Sequence, residues 1–302
     1  MTRQRSLGRL VVALATLVGG CGADEEPACR VDAECASGRC GSDGRCESGG
    51  PSGSSSGSAA SSSTGAASCT PNGDGVVLRS EIVLGPGLAA TFRVARAVTV
   101  DTKGSALSDG RRRWDLSAPL PGEVDASVET ASLDGAWYAA DFADATYRVT
   151  LSDEPPFGEL EGVFEVGEAL FLRGLASPSA SATATRVGYA PAVPVLRFPL
   201  AEGEAWTTDA TVAGLSLGVP ATYAERYESA VDARGELVTP YGTFPVLRVR
   251  TTVTRTVGLL STVTRSFAFV SECFGTVATV RSNPGEGALE FTKAAEVRRL
   301  AP

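Results

Sequence analysis

Histidine is absent from the 302 residues. Its absence removes the imidazole base of Ser-His-Asp and Cys-His hydrolases and the commonest metal ligand. Lysine is almost absent as well. Of 27 basic residues only Lys103 and Lys293 are lysines, and neither stands in an S-x-x-K context. A Ser-Lys dyad is therefore hard to build. No apolar run approaches the roughly 20 residues that a spanning helix needs. Positive charge is in deficit: the net charge is −8, so the chain lacks the basic surface that nucleic acid requires, and no nucleic-acid partner is expected.

The N-terminus carries an export pattern. Arg3, Arg5 and Arg9 precede Leu10–Val18, an apolar run of nine residues. That length suits the core of a signal peptide. The run ends in Val18-Gly19-Gly20-Cys21, which resembles the lipobox of bacterial lipoproteins. The resemblance implies cleavage after residue 20, acyl chains on Cys21 and a covalent attachment to the membrane, with two or more chains needed for firm anchoring. Gly22, not Asp, follows Cys21. Under the enterobacterial sorting rule that favours the outer membrane of the cell envelope.

Six cysteines remain, an even number for an oxidising compartment. Cys29, Cys35, Cys40 and Cys46 lie in CRVDAECASGRCGSDGRC. A window with so few apolar side chains needs cross-links in place of a core. Zinc would need C-x2-C pairs or His. Among the three connectivities Cys29–Cys40 with Cys35–Cys46 is preferred. Cys69 and Cys273 then remain, one at each end of a long β region, and a bridge between them is the simplest pairing. The sequence divides into a signal peptide (1–20), a Cys-rich module (21–47), a Ser/Gly/Ala-rich linker (48–68) and two β units (69–190 and 191–302). The linker has no large apolar residue and cannot repay the entropy of ordering. It reads as a stalk.

From about residue 76 short runs of Val, Thr, Phe, Tyr and Leu alternate with Gly, Pro and Asp, as strands and turns do. Candidate strands are Leu88–Ala95, Val124–Thr130, Tyr147–Leu151, Leu160–Val166, Leu170–Ala176, Thr183–Tyr189 and Val195–Phe198. The clearest alternation is at 246–270. Leu247, Val249, Val253 and Val257 fall on odd positions, Arg248, Arg250, Thr252, Thr254 and Thr256 on even ones. The odd parity returns in Val263, Phe267 and Phe269 after Gly258. This predicts a long hairpin with one buried face. The prolines at 155–156 and 191–194 predict breaks, the second a boundary between β units. The fold class is all-β and antiparallel, a sandwich or a curved half-barrel.

Trp114-Asp115-Leu116-Ser117, Leu196-Arg197-Phe198-Pro199-Leu200 with Gly203 and Trp206, and the run Gly235–Phe244 come in a telling order. They resemble an uncharacterised family of secreted bacterial β-proteins with WDxS, FPLxxGxxW and GxLxTPxGxF blocks. The resemblance implies a β-domain and lends no catalytic residue. The last block is also similar to the curved sheets of lipoprotein carriers, which cup lipid.

Several motifs bear on chemistry. Gly214-Leu215-Ser216-Leu217-Gly218 matches a GxSxG elbow, but no His exists to take the serine proton. Glu159/Glu161 and Glu202/Glu204 could pair as in glycosidases, yet carboxylates on a solvated strand face are the plainer reading. The stretch Thr70–Glu81 resembles the twelve-residue EF-hand loop, placing Asn72, Asp74, Gly75, Val76 and Glu81 where that loop has its oxygen donors and turn glycine. Thr70 stands where the loop has Asp. Weak Ca2+ binding is set against a plain NGDG turn.

Arg255 and Arg265 share the odd, apolar parity of the hairpin. An unpaired charge there is costly, and Glu225 in the run Tyr223–Tyr227 is the candidate partner for either. If neither arginine meets a carboxylate, an anionic ligand is the better explanation. The function expected is that of a non-catalytic cell-envelope lipoprotein, a stalked β-rich binding or structural module. The alternative is a carrier of a lipid or other apolar ligand. A packed interior favours the module, and an open apolar cavity the carrier.

Overall fold

β-branched and aromatic residues in alternation give strands wherever both faces find cover, and here most of the described region takes that form. The structure is a computed structural model, and it describes residues 69–152 and 158–302. Cys21, Cys29, Cys35, Cys40 and Cys46, the stalk and Pro155-Pro156 lie outside those residues. The strands are β1 (Val76–Val77), β2 (Ala89–Thr99), β3 (Ser105–Ala106), β4 (Arg112–Asp115), β5 (Val124–Ala131), β6 (Tyr147–Ser152), β7 (Leu160–Val166) and β8 (Ala169–Ala176). There follow β9 (Arg186–Arg197), β10 (Leu200–Ala201), β11 (Ala205–Ser216), β12 (Val219–Val238), β13 (Thr243–Val257), β14 (Leu260–Ser271), β15 (Gly275–Ser282) and β16 (Lys293–Ala301).

The large sheet runs β11-β9-β8-β7-β6-β5-β2-β16-β15-β14-β13-β12, and β11 also pairs with β12. That last pairing closes an antiparallel barrel, which leaves no open edge in the ring. The all-β, antiparallel class is as expected, but the ring is more closed than a half-barrel. β12 is long enough to pair twice along one edge: residues 219–230 with β11 and residues 235–238, in parallel, with β4.

Two cores lie on opposite sides of the wall. Leu247 and Val249 of β13 belong to a cluster with Tyr147, Phe164, Leu172, Val187, Val212 and Val231. These strands stand on different sides of the ring, so the cluster is the barrel interior. β1 pairs with β10, and Val77, Ile82 and Leu200 add to the same cluster, closing one end. On the other face of β13, Phe244 and Val246 join Phe267, Phe269, Val280 and Val297 under Trp114, Leu116 and Phe291. A third, smaller cluster covers the outside of β7 and β8 with Tyr138 and Phe142.

The proline run 191–194 does not divide the domain. β9 passes straight through it, and the described residues fall in one compact unit. The β8–β9 register jumps between Leu172↔Val193 and Gly174↔Gly188, while β11 pairs with β9 only at residues 186–190. The prolines thus occupy a bulge and a stretch free of the second neighbour, where a missing N–H is tolerated. The motif blocks are structural. Trp114 is buried and donates its indole N–H to the Thr102 carbonyl at 2.9 Å, and Trp206 donates to the Pro194 carbonyl at 2.8 Å. Cys69 and Cys273 form a disulfide, with Cα atoms 5.4 Å apart and a sequence separation of 204. By loop entropy such a closure contributes up to about 5 kcal/mol.

Candidate functional site

The hairpin β13–β14 orders the charged residues. Its two-residue turn, Gly258-Leu259, pairs Val257 with Leu260, so odd positions of β13 face even positions of β14: Leu247↔Val270, Thr252↔Arg265, Arg255↔Thr262. Arg255 and Arg265 therefore point to opposite sides of the wall, which corrects the expectation that they share a face. Phe267 and Phe269 likewise lie with Arg248 and Arg250, not with Leu247 and Val249. Over its lower half the hairpin is buried on both faces, the barrel interior on one and the Trp114 cover on the other.

Arg255 faces inward. It stands opposite Glu225 in the β12–β13 ladder and donates from Nε to Glu225 Oε1 at 2.6 Å. Glu225 is 2% exposed while the Arg255 side chain is 47% exposed. Tyr227 donates its hydroxyl to Glu225 Oε2 at 2.5 Å, and the guanidinium lies 4.9 Å from the Tyr223 ring centre. Tyr189 meets Tyr227 edge-on at 6.3 Å. Burial, then the carboxylate of Glu225, pushes the Tyr189 hydroxyl well above its ordinary pKa; Tyr227 is pushed further by burial and its neighbours Tyr189 and Glu225. Burial opposes the charge of Arg255, but Glu225 outweighs it and raises the guanidinium pKa. The cluster pairs the buried Glu225 with two donors, Arg255 and Tyr227, and seats charge in the barrel wall.

Arg265 faces outward. It donates Nη1 to Thr252 Oγ1 at 2.9 Å and Nε to the Glu286 carbonyl at 3.3 Å, with Nη2 at 3.5 Å from the Gly287 carbonyl. Among the described residues no carboxylate lies within ion-pair distance of it. Nearby, Arg248 is buried between the rings of Phe267 (4.4 Å) and Trp114 (5.4 Å). It binds Asp232 at 2.8 Å and Glu290 at 2.7 Å. Burial again opposes its charge, and the bonds to Glu290 and Asp232 raise its pKa regardless. Arg250 shares Asp232 at 3.0 Å. The even-parity reading had Arg248 on a solvated face. Arg248 takes the side that alternation gives it, but the Trp114 cover, not solvent, lies there.

These residues border a groove of about 500 Å3 on the outer wall, whose lining includes Thr207, Glu228, Arg250, Thr252, Arg265 and Leu289. Its floor is a row across four strands, Thr207↔Glu228↔Thr252↔Arg265. A second row carries Asp209↔Arg226↔Thr254↔Val263. Glu228 also pairs with Arg226 at 3.7 Å.

The remaining sequence candidates are structural. Asn72 Oδ1 accepts from the Asp74 N–H at 2.9 Å, and Asp74 Oδ1 from the Val76 N–H at 2.7 Å. Glu81 accepts from Asn72 Nδ2 at 2.7 Å and from the Leu78 N–H at 2.8 Å. These bonds shape the NGDG turn. Among the described residues no group of three His, Cys, Asp or Glu side chains is placed to hold a metal. The stretch Thr70–Glu81 serves as the turn that leads β1 into the barrel end. Ser216 ends β11 at a hairpin turn, not at a strand-to-helix elbow. Glu161 is buried and bound by Tyr138 and Arg148, while Glu159 accepts from Thr150 at 2.9 Å. Glu202 pairs with Arg234 at 3.3 Å. No family model matches this chain, no curated protein matches it, and no solved structure matches its fold.

Proposed function

We propose that this chain is a non-catalytic, lipid-anchored protein of the bacterial cell envelope, a β-barrel binding module held out on a Ser/Gly/Ala-rich stalk. The observation that carries the binding-module half of this reading is the packed barrel interior. Val187, Val212, Val231, Val249 and Val270 are each at most 2% exposed within it, and the inward-facing Arg255 keeps about half of its side chain in water, so the part of the interior that meets solvent is charged, not apolar. A carrier needs an open apolar cavity instead. The lipobox-like Val18–Cys21 and the Ser/Gly stalk support the anchoring half, and the lack of histidine supports a non-catalytic role. Anchoring is tested by expressing the full chain with Cys21→Ser. That variant should take up no labelled lipid and leave the membrane fraction. Retention on membranes after a salt wash would reject the anchor.

A further inference from the structure

We infer that the outer groove across β11–β14 is a binding site for an acidic saccharide, whose carboxylate or phosphate is held by Arg265. The inference rests on the reading of the chain as a binding module and names the ligand class of that module.

Charge is the first argument. Around the groove Arg226 pairs with Asp209 and Glu228, Arg248 with Asp232 and Glu290, and Arg250 with Asp232. Among the described residues Arg265, alone of these four, has no carboxylate within ion-pair distance. Thr252 and the carbonyls of Glu286 and Gly287 fix its planar fork without neutralising it. A positioned guanidinium with no carboxylate of its own is suited to an anion from outside.

The second argument is the pattern of the floor. From Arg265 the row continues through Thr252 to Glu228 and Thr207. Neighbouring strands are about 4.8 Å apart, so the row offers a cation, a carboxylate and a hydroxyl, with the buried Thr252 hydroxyl holding Arg265 between the first two. Hydroxyls donate and accept, and a carboxylate accepts from sugar hydroxyls. That series matches a chain of hydroxyl-bearing rings with an acid group at one end. A bare anion would use only Arg265 and would be repelled by Glu228. A protein partner would want a central aromatic or apolar anchor pocket. The apolar lining is scattered: Leu289 is 53% exposed, Val263 lies on the second row, and Trp206 is 8% exposed and packed into the interior cluster.

The third argument is size. A groove of about 500 Å3 falls in the range of small-ligand sites, about 300–1,000 Å3. It is open along the wall, as a polymer passing through requires.

The test is calorimetric titration of the detergent-solubilised full chain with hexagalacturonate and hexamannuronate, using maltohexaose and inorganic phosphate as comparisons. At least one uronate oligomer should bind, tighter than maltohexaose and phosphate by tenfold or more, and more weakly as salt rises. Arg265→Gln should weaken it by tenfold or more, and Arg265→Lys should recover part of the loss. Leu289→Glu changes only an exposed side chain of the groove wall. It should also weaken binding, which keeps the test open should R265Q fail to fold. Arg113→Gln, on β4, should change nothing. The inference is overturned if neither uronate oligomer binds, if phosphate or maltohexaose binds as tightly, or if L289E and a folded R265Q bind like the parent chain. Those failures leave Cys21→Ser fractionation untouched. A uronate oligomer bound by a chain that is not lipid-anchored would reject the anchor and spare the groove.

Discussion

Glu225 illustrates how unequal the two halves of one ion pair are. The carboxylate is buried, whereas Arg255 keeps about half of its side chain in water. Removing the guanidinium strands a buried charge with one tyrosine hydroxyl for company, and breaking such a pair costs about 3 kcal/mol. Replacing the carboxylate by its amide keeps an acceptor for Tyr227 and lets Arg255 hydrate, at about 1 kcal/mol. Arg255→Met is therefore expected to lower the free energy of urea unfolding more than Glu225→Gln. The reverse order would contradict the burial described. The tyrosines of this region also set an alkaline limit. Burial pushes Tyr147 up to about 12, and Tyr189 and Tyr227 rise as well. An unfolded tyrosine ionises near pH 10. Above that pH the unfolded chain holds fewer protons than the native one, so stability falls as pH rises. Below it, with no histidine in the chain, the urea midpoint should stay flat from about pH 5.5 to 9. On the acid side the Ser117 bonds hold Asp115 low, and their contribution is present near neutrality and lost as pH falls through its folded pKa. A step in the midpoint near pH 6 to 7 would be inconsistent with this composition.

At the scale of the element, alternation proved to be a guide to where strands are and a poorer guide to what they face. β5, β6, β7 and β8 stand within one or two residues of the runs read from sequence, because each is a short alternating run between Gly, Pro or Asp. The hairpin β13–β14 was legible as a hairpin, but its faces were not. A two-residue turn reverses parity between the arms, so Phe267 belongs with Arg250, not with Leu247. Nor did alternation reveal that both faces are covered, since the second cover comes from Trp114, about 150 residues away in sequence. One signal for the groove was present: between Glu236 and Glu272 the sequence has no acidic residue, so an arginine there must find its anion elsewhere. Which arginine lacks one depends on rows across four strands, and single-strand patterns do not carry that. The attachment of β4 shows the same dependence on distant pairing. A Cβ at Gly235 would lie 1.8 Å from the Arg112 carbonyl oxygen, so only glycine lets β4 run beside β12. Gly235→Ala should cost about 1–3 kcal/mol and open Arg111, Arg112 and Arg113 to trypsin. Unchanged stability together with unchanged cleavage would mean that β4 is not held by this pairing.

For the whole molecule the deciding event is closure. β2 pairs with β16, and β11 pairs with both β9 and β12. Those contacts join the first third of the β region to its last strand and leave no trace in local pattern, which is why a half-barrel or two units seemed sufficient from sequence. The Cys69–Cys273 disulfide pins the start of the plug to the β14–β15 turn, where the Cys273 N–H also binds the Glu81 carbonyl at 2.8 Å. The central claim, a filled barrel on a lipid anchor that takes its ligand on the outer wall, is tested most directly by native mass spectrometry of the full-length protein released from membranes in detergent. The expected species is a chain beginning at Cys21, its other six cysteines oxidised, carrying covalent acyl chains and no further apolar mass. A stoichiometric lipid retained beyond the covalent chains would place the ligand inside the barrel and contradict the account.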